Sequence, residues 1–206
     1  MGSAGVLANR QGRHDAFFEK AQKERFAARA VYKLQEIDER FGLFAPGGRV
    51  LDLGCRPGSW LQYAERKIGG RGALVGLDRQ PLAISPKNAR LLVGDVFEVS
   101  QDTLRGELDG FDLVLSDLAP DTTGIRHVDQ ARSEGLFERA LDLSQELLVF
   151  GGHFLGKVFQ GPDFARLRER MKTTFTDVRI CKPQGSRKES YELYLLGLRK
   201  KSPPPK

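Results

Sequence analysis

RVLDLGCRPGSWLQYAERKI, residues 49–68, changes its period in the middle. Residues 49–54 are a short, nearly continuous apolar run, the pattern of a strand buried on both faces. Gly54 and Gly58 bracket a turn. Beyond it, Trp60, Ala64 and Ile68 recur four residues apart, which predicts a helix with one buried stripe. Strand, glycine turn and helix make the opening unit of an open α/β sheet. The spacing is not GxGxxG, so a pyrophosphate-cradling dinucleotide site is not indicated.

The same alternation extends on both sides. Strands are predicted over 73–78, 89–96, 111–117, 153–159, 178–181 and 191–198, and helices over 23–41, 128–149 and 163–172. Gly151 and Gly152 are expected to stop the long helix. Strands that alternate with helices imply a mostly parallel sheet covered on both faces. The last two strands are joined by only about nine residues, whereas a parallel crossover needs about a dozen or more. The seventh strand is therefore expected to run antiparallel. The expected organisation is a flexible basic segment over 1–22, one α/β domain over 23–199 and a basic tail over 200–206.

The chain has 206 residues, 40% of them hydrophobic and 29% charged, a composition that suits a globular domain and excludes general disorder. No run of about 18 apolar residues exists, so no membrane span is expected. The first residues lack the apolar stretch of a secretory signal, and the expected compartment is the cytoplasm. Cys55 and Cys181 cannot make a disulfide framework, and His14, His127 and His153 lack metal-ligand spacing, so no metal is expected. The net charge is +6, and residues 179–206 carry all of it: eight Lys and Arg stand there against Glu189 and Glu192. Arg25 and Arg29 belong to a second basic run near the start. Clustered cations point to a polyanion such as nucleic acid, the simpler reading being a solubilising tail.

Ligands of open α/β sheets bind at the carboxyl ends of the strands. There the chain offers Gly54 and Gly58, then Asp78, 24 residues after Gly54, then Asp95. Asp78 can accept bonds from both hydroxyls of a ribose, and Asp95 can take an adenine amino group. Each acid alone also suits a turn or a helix cap. The ordered set, without a phosphate cradle, fits S-adenosylmethionine better than NAD.

Four polar residues stand where burial is expected: Lys33 on the first helix, Asp117 ending the fourth strand, Lys157 inside the fifth and Glu192 opening the last. Strands four and five are parallel and the last runs the other way. That brings Asp117, Lys157 and Glu192 to one sheet edge. A lysine inside a buried strand is costly unless paired. A structural ion pair and a reaction site both satisfy that need.

RAVYKLQEID, VLDLGCRPGSW, GLD, GDV, LSDLAPDTTG, GKVFQG and SRKESYELY occur in this order from about Arg25 to Arg199. Together they resemble the motifs of the FtsJ/RrmJ family of ribose 2′-O-methyltransferases. The resemblance implies a Rossmann-like class I methyltransferase with a seven-stranded, mostly parallel sheet. It implies a catalytic Lys-Asp-Lys-Glu tetrad at Lys33, Asp117, Lys157 and Glu192, with Lys157 as general base. It places S-adenosylmethionine contacts at Gly58, Trp60, Asp78, Asp95 and Asp117, while Trp60 also reads as a core residue. Arg56 departs from the small residue usual in the family's glycine loop. A cation there either crowds the cofactor or pairs with its carboxylate.

The implied substrate is a uridine ribose in 23S rRNA of the large ribosomal subunit, and the implied enzyme is a monomer. Arg25, Arg29, Lys182, Arg187 and Lys188 are the candidate phosphate contacts. A tRNA methyltransferase, a catalytically silent RNA-binding or ribosome-assembly factor and a small-molecule methyltransferase are the alternatives.

Overall fold

A computed structural model describes residues 19–84, 86–184 and 191–202. The segment expected to be flexible lies mostly outside these residues, as do Arg187, Lys188 and the end of the basic tail. The described elements are α1 (Val31–Phe41), β1 (Arg49–Leu53), α2 (Ser59–Ile68), β2 (Ala73–Asp78), β3 (Ala89–Val93), α3 (Gln101–Arg105), β4 (Phe111–Ser116), α4 (Arg126–Leu147), β5 (Leu148–Phe159), α5 (Phe164–Thr174), β6 (Phe175–Cys181) and β7 (Glu192–Lys200).

The seven strands form one sheet in the order β3-β2-β1-β4-β5-β7-β6. Pairing is parallel from β3 through β5, and β7 is antiparallel to both β5 and β6. The short connection before β7 thus produces the expected reversal, and β7 fills the slot between β5 and β6. The chain leaves β1 in one direction for β2 and β3, then returns to its other side for β4. A crevice opens at such a reversal, at the strand carboxyl ends.

Alternate residues of each strand feed two cores. Val50, Leu113, Leu115, Leu155, Tyr194 and Leu196 pack under α1 and α2, against Leu34, Ile37, Trp60 and Leu61. Leu51, Leu53, Val114, Phe154 and Leu195 pack against Phe137, Leu141, Leu167 and Met171 of α4 and α5. Burial of a large apolar side chain stabilises by roughly 1.5–3 kcal/mol, so each face is held by many such contributions.

Three local expectations are corrected. The helix expected over 23–41 is helical as α1 only from Val31; residues 19–23 are a separate helical stretch, and the chain between is irregular. Side chains of α2 take the backbone groups in between: Gln62 Oε1 accepts from Ala27 N, Gln62 Nε2 donates to Arg25 O, and Trp60 Nε1 donates to Ala30 O. Tertiary bonds there override a helical apolar spacing. Secondly, Gly151 and Gly152 do not stop the long helix, which ends at Leu147. They lie inside β5, where the pairing with β4 shifts register between Phe111 and Leu113. Gly151 has φ +82°, and a Cβ on Gly152 would meet Val149 O and Asp112 O at 3.0 and 3.1 Å. β5 advances five residues there against two on β4, a large bulge with glycine where the three extra residues must fold. Thirdly, α3 was absent from the periodicity because five residues show too little of it; Ser100 caps it, its Oγ accepting from Thr103 N at 3.1 Å.

Candidate active site

Two regions meet where β1 and β4 end. The first is a cleft lined by the glycine turn, Asp78, Asp95, Asp117 and the loop after β4. Gly54 has φ +76°, and a Cβ there would lie 3.1 Å from Leu118 N, so the turn accommodates no side chain at this position. Asp78 is aimed by the backbone: its Oδ2 accepts from Arg56 N at 3.0 Å and its Oδ1 from Gln80 N at 3.1 Å. Asp95 is aimed in the same way, Oδ1 accepting from Phe97 N at 2.9 Å. Each oxygen keeps a lone pair for a ligand. Phe97, 57% exposed, adds an aromatic face to the cleft. Arg56 also lines the cleft, exposed and without an ion pair to a described carboxylate.

Asp52 lies beneath this cleft and is the residue whose role the sequence did not reveal. It is fully buried, and both carboxylate oxygens lack a hydrogen-bond partner. Burial, and then the charges of Asp117 and Asp78, hold its carboxyl well above the usual carboxylate range. An acidic residue inside the apolar run VLDL was the available signal.

The cleft suits a cationic nucleoside cofactor on these observations. Asp78 and Asp95 are pre-aimed acceptors, and the glycine turn is bare. The orphaned Asp52 carboxyl lies close to Asp78 and Asp117. Gly58 and the Trp60 ring do not line it. Gly58 faces Ile84 and Leu82, and a Cβ on it would lie 2.1 Å from Ile84 Cδ1. Trp60 is 3% exposed in the core, its ring centroid 5.9 Å from that of Tyr194.

The second region joins the four polar residues of the sequence analysis. Lys157, 7% exposed, places Nζ 3.0 Å from Asp117 Oδ1 and donates to Asp117 O at 2.6 Å. Lys33 Nζ donates to Glu192 Oε1. Tyr194 lies between the two pairs: its hydroxyl donates to Asp117 Oδ1 at 2.9 Å, and Lys33 Nζ stands 5.9 Å from its ring centroid. Burial, with the charges of Asp117 and Glu192, pushes the Tyr194 phenol well above its usual range, so it remains a donor. Sequence reasoning missed this link, because YELYLL reads as ordinary strand alternation.

The sheet accounts for the assembly. Asp117 N donates to Leu53 O at 3.1 Å, which fixes Asp117 beside the glycine turn. Lys157 pairs with Tyr194 across β5 and β7, and Phe159 pairs with Glu192. Paired residues of an antiparallel ladder project to the same face. Asp129, 1% exposed, holds the loop after β4 through Thr123 N at 2.7 Å and Gly124 N at 3.1 Å.

Of the candidate phosphate contacts, Arg25 and Lys182 are exposed and Arg29 is half-buried. The segment carrying Lys182 docks on α1, Gln184 N donating to Glu36 Oε2 at 2.8 Å. Arg187 and Lys188 lie outside the described residues. Among the described residues there is no cluster of His, Cys, Asp and Glu that could hold a metal, and no helix long and apolar enough to cross a membrane.

The sequence matches the model of the FtsJ-like methyltransferases over residues 26–200. Ribosomal RNA large subunit methyltransferase E of Bdellovibrio bacteriovorus is 47% identical over 190 residues, 91% of this chain and 97% of that one. The protein of the same name from Sorangium cellulosum is 42% identical over 192 residues, 92% of this chain and 90% of that one. Among solved structures, a ribosomal RNA methyltransferase from Plasmodium falciparum superposes with a TM-score of 0.74 at 23% identity, covering 85% of this chain and 98% of that chain. At that identity the likeness bears on the fold.

Proposed function

The chain belongs to the FtsJ-like methyltransferase family, and we propose that it transfers a methyl group from S-adenosylmethionine to the 2′-hydroxyl of a uridine ribose in 23S rRNA of the large ribosomal subunit. The carrying observation is the juxtaposition of a cleft lined by the glycine turn, Asp78 and Asp95 with the Lys33–Glu192 and Lys157–Asp117 pairs, linked through Tyr194. The names of the curated relatives support the substrate.

When bound, the cofactor supplies an electrophilic methyl on a cationic sulfur. Asp78 would hold its ribose hydroxyls and Asp95 its adenine amino group. Asp117 stands where both regions meet. The leaving thioether is neutral and needs no acid. The enzyme's tasks are then to align the ribose oxygen with the methyl and to remove that oxygen's proton. Lys157 directs two N–H groups at Asp117 O and Oδ1, which leaves the lone pair of the amine for the ribose hydroxyl proton. The amine, neutral when it acts, takes the ribose proton on its lone pair and becomes an ammonium that the Asp117 carboxylate balances, while Lys33 and Glu192 hold the ribose from the other side. Arg25, Arg29, Lys182, Arg187 and Lys188 meet phosphates. The protein acts as a monomer in the cytoplasm, with Arg56 on the methionine carboxylate.

The test is transfer of tritiated methyl from S-adenosylmethionine to large ribosomal subunits lacking the modification, with the labelled ribose mapped by mass spectrometry. Label on a uridine 2′-oxygen of 23S rRNA supports the reading. Label confined to tRNA, or no transfer despite cofactor binding, contradicts it.

A further inference from the structure

A cluster of aromatic and cationic side chains beside the tetrad has no duty in the chemistry above. Phe159 ends β5 and pairs with Glu192 at the start of β7. It stands two residues beyond Lys157, on the same face and about 7 Å along the strand. Gln160 N donates to Tyr191 O at 2.7 Å and closes the strand ends together. The Phe159 and Tyr191 rings meet edge to face, centroids 4.9 Å apart at 86°. Arg126, the first residue of α4, places its guanidinium 5.6 Å from the Tyr191 centroid. Ile125 beside it is 53% exposed.

We propose that Phe159, Tyr191 and Arg126 form a stacking platform for an unstacked nucleotide of single-stranded RNA next to the target ribose. The proposal rests on the RNA-methylating reading above. Closing two strand ends needs only an apolar residue of any shape. It does not explain why two half-buried rings stand at the mouth of a reaction site with an exposed guanidinium over one of them. Arg126 makes no ion pair with a described carboxylate, so its charge is available to an anion. Aromatic faces that take bases and a guanidinium that takes phosphate are the chemistry by which single-stranded nucleic acid is held. Asp129 holds Thr123 and Gly124 just before Arg126, and Gln160 N holds Tyr191 O, so the platform exists before RNA arrives.

Fluorescence anisotropy of a short labelled single-stranded RNA on the full-length protein, loaded with S-adenosylhomocysteine, reads the platform directly. Tyr191→Ala is expected to weaken RNA binding at least about tenfold, with an unchanged salt slope. Tyr191→Phe retains binding. Arg126→Gln weakens it and lowers the salt slope by about one. Affinity for S-adenosylhomocysteine and Tm serve as controls, and both should hold. Unchanged RNA binding by Tyr191→Ala overturns the proposal, as does a loss in Tyr191→Phe that equals the loss in Tyr191→Ala. If Tyr191→Ala raises KM for large subunits but leaves oligomer binding intact, the ring meets ribosomal protein and the proposal is again overturned. Failure of the wild type to methylate any RNA would instead sink the function proposed above, and the platform with it.

Discussion

The proposed cofactor cleft and the proposed reaction edge are built from similar residues in opposite ways. In the cleft, each acid is aimed by backbone amides close by in the fold: Arg56 N and Gln80 N for Asp78, Phe97 N for Asp95. Removing one such carboxylate leaves the others where they were. At the reaction edge, side chains hold side chains across the whole chain, as Lys33 holds Glu192 and Lys157 holds Asp117. Removing one member leaves a partner exposed to an unmatched charge in a largely dry site. The cleft should therefore respond to mutation site by site, and the edge as a unit.

Tyr194→Phe probes the unit. It deletes only the hydroxyl that donates to Asp117, inside a fully buried side chain. We expect kcat to fall by about 10–100-fold, at or below the lower end of what a positioned acid–base group contributes, while affinity for S-adenosylhomocysteine holds. Equal losses in kcat and cofactor affinity would erase the boundary between the two regions.

Asp78→Ala probes the cleft. Loss of hydrogen bonds to a charged acceptor costs about 1.5–3 kcal/mol, so cofactor Kd should rise by about tenfold or more by calorimetry. At saturating cofactor, kcat should change by less than about threefold if the regions are separable.

The smallest effect is expected at Asp52. Its raised carboxyl range means that the folded state keeps a proton the unfolded chain has already lost. Stability therefore falls as pH rises above the unfolded value of about 3.9, up to the folded one. Asp52→Asn removes this penalty. Its Tm should exceed that of the wild type by a few degrees at pH 8 and by less at pH 5. A difference that does not vary with pH would show that Asp52 is ionised in the free protein.

Much of both regions was legible beforehand. The period change across residues 49–68 carried the strand–turn–helix unit, and the spacing of Gly54, Asp78 and Asp95 carried the cleft, because each sits at a strand end. The four polar residues of the edge stood out as charges in apolar surroundings. Tyr194 did not, since a tyrosine in a strand is ordinary until its hydroxyl is seen against Asp117. Asp52 was visible as an acid in a strand, but its lack of any partner is a fact of packing. The start of α1 at Val31 and the glycine bulge in β5 were set by contacts with α2 and β4, which no local pattern contains.

The most direct test measures both regions on one variant, Lys157→Ala. Calorimetric titration of S-adenosylhomocysteine and methyl transfer to unmodified large subunits would be run on the same preparation. The account predicts cofactor affinity within about threefold of wild type and transfer reduced by about 10²–10⁴-fold. Transfer within about threefold of wild type, with the cofactor still bound, would contradict it.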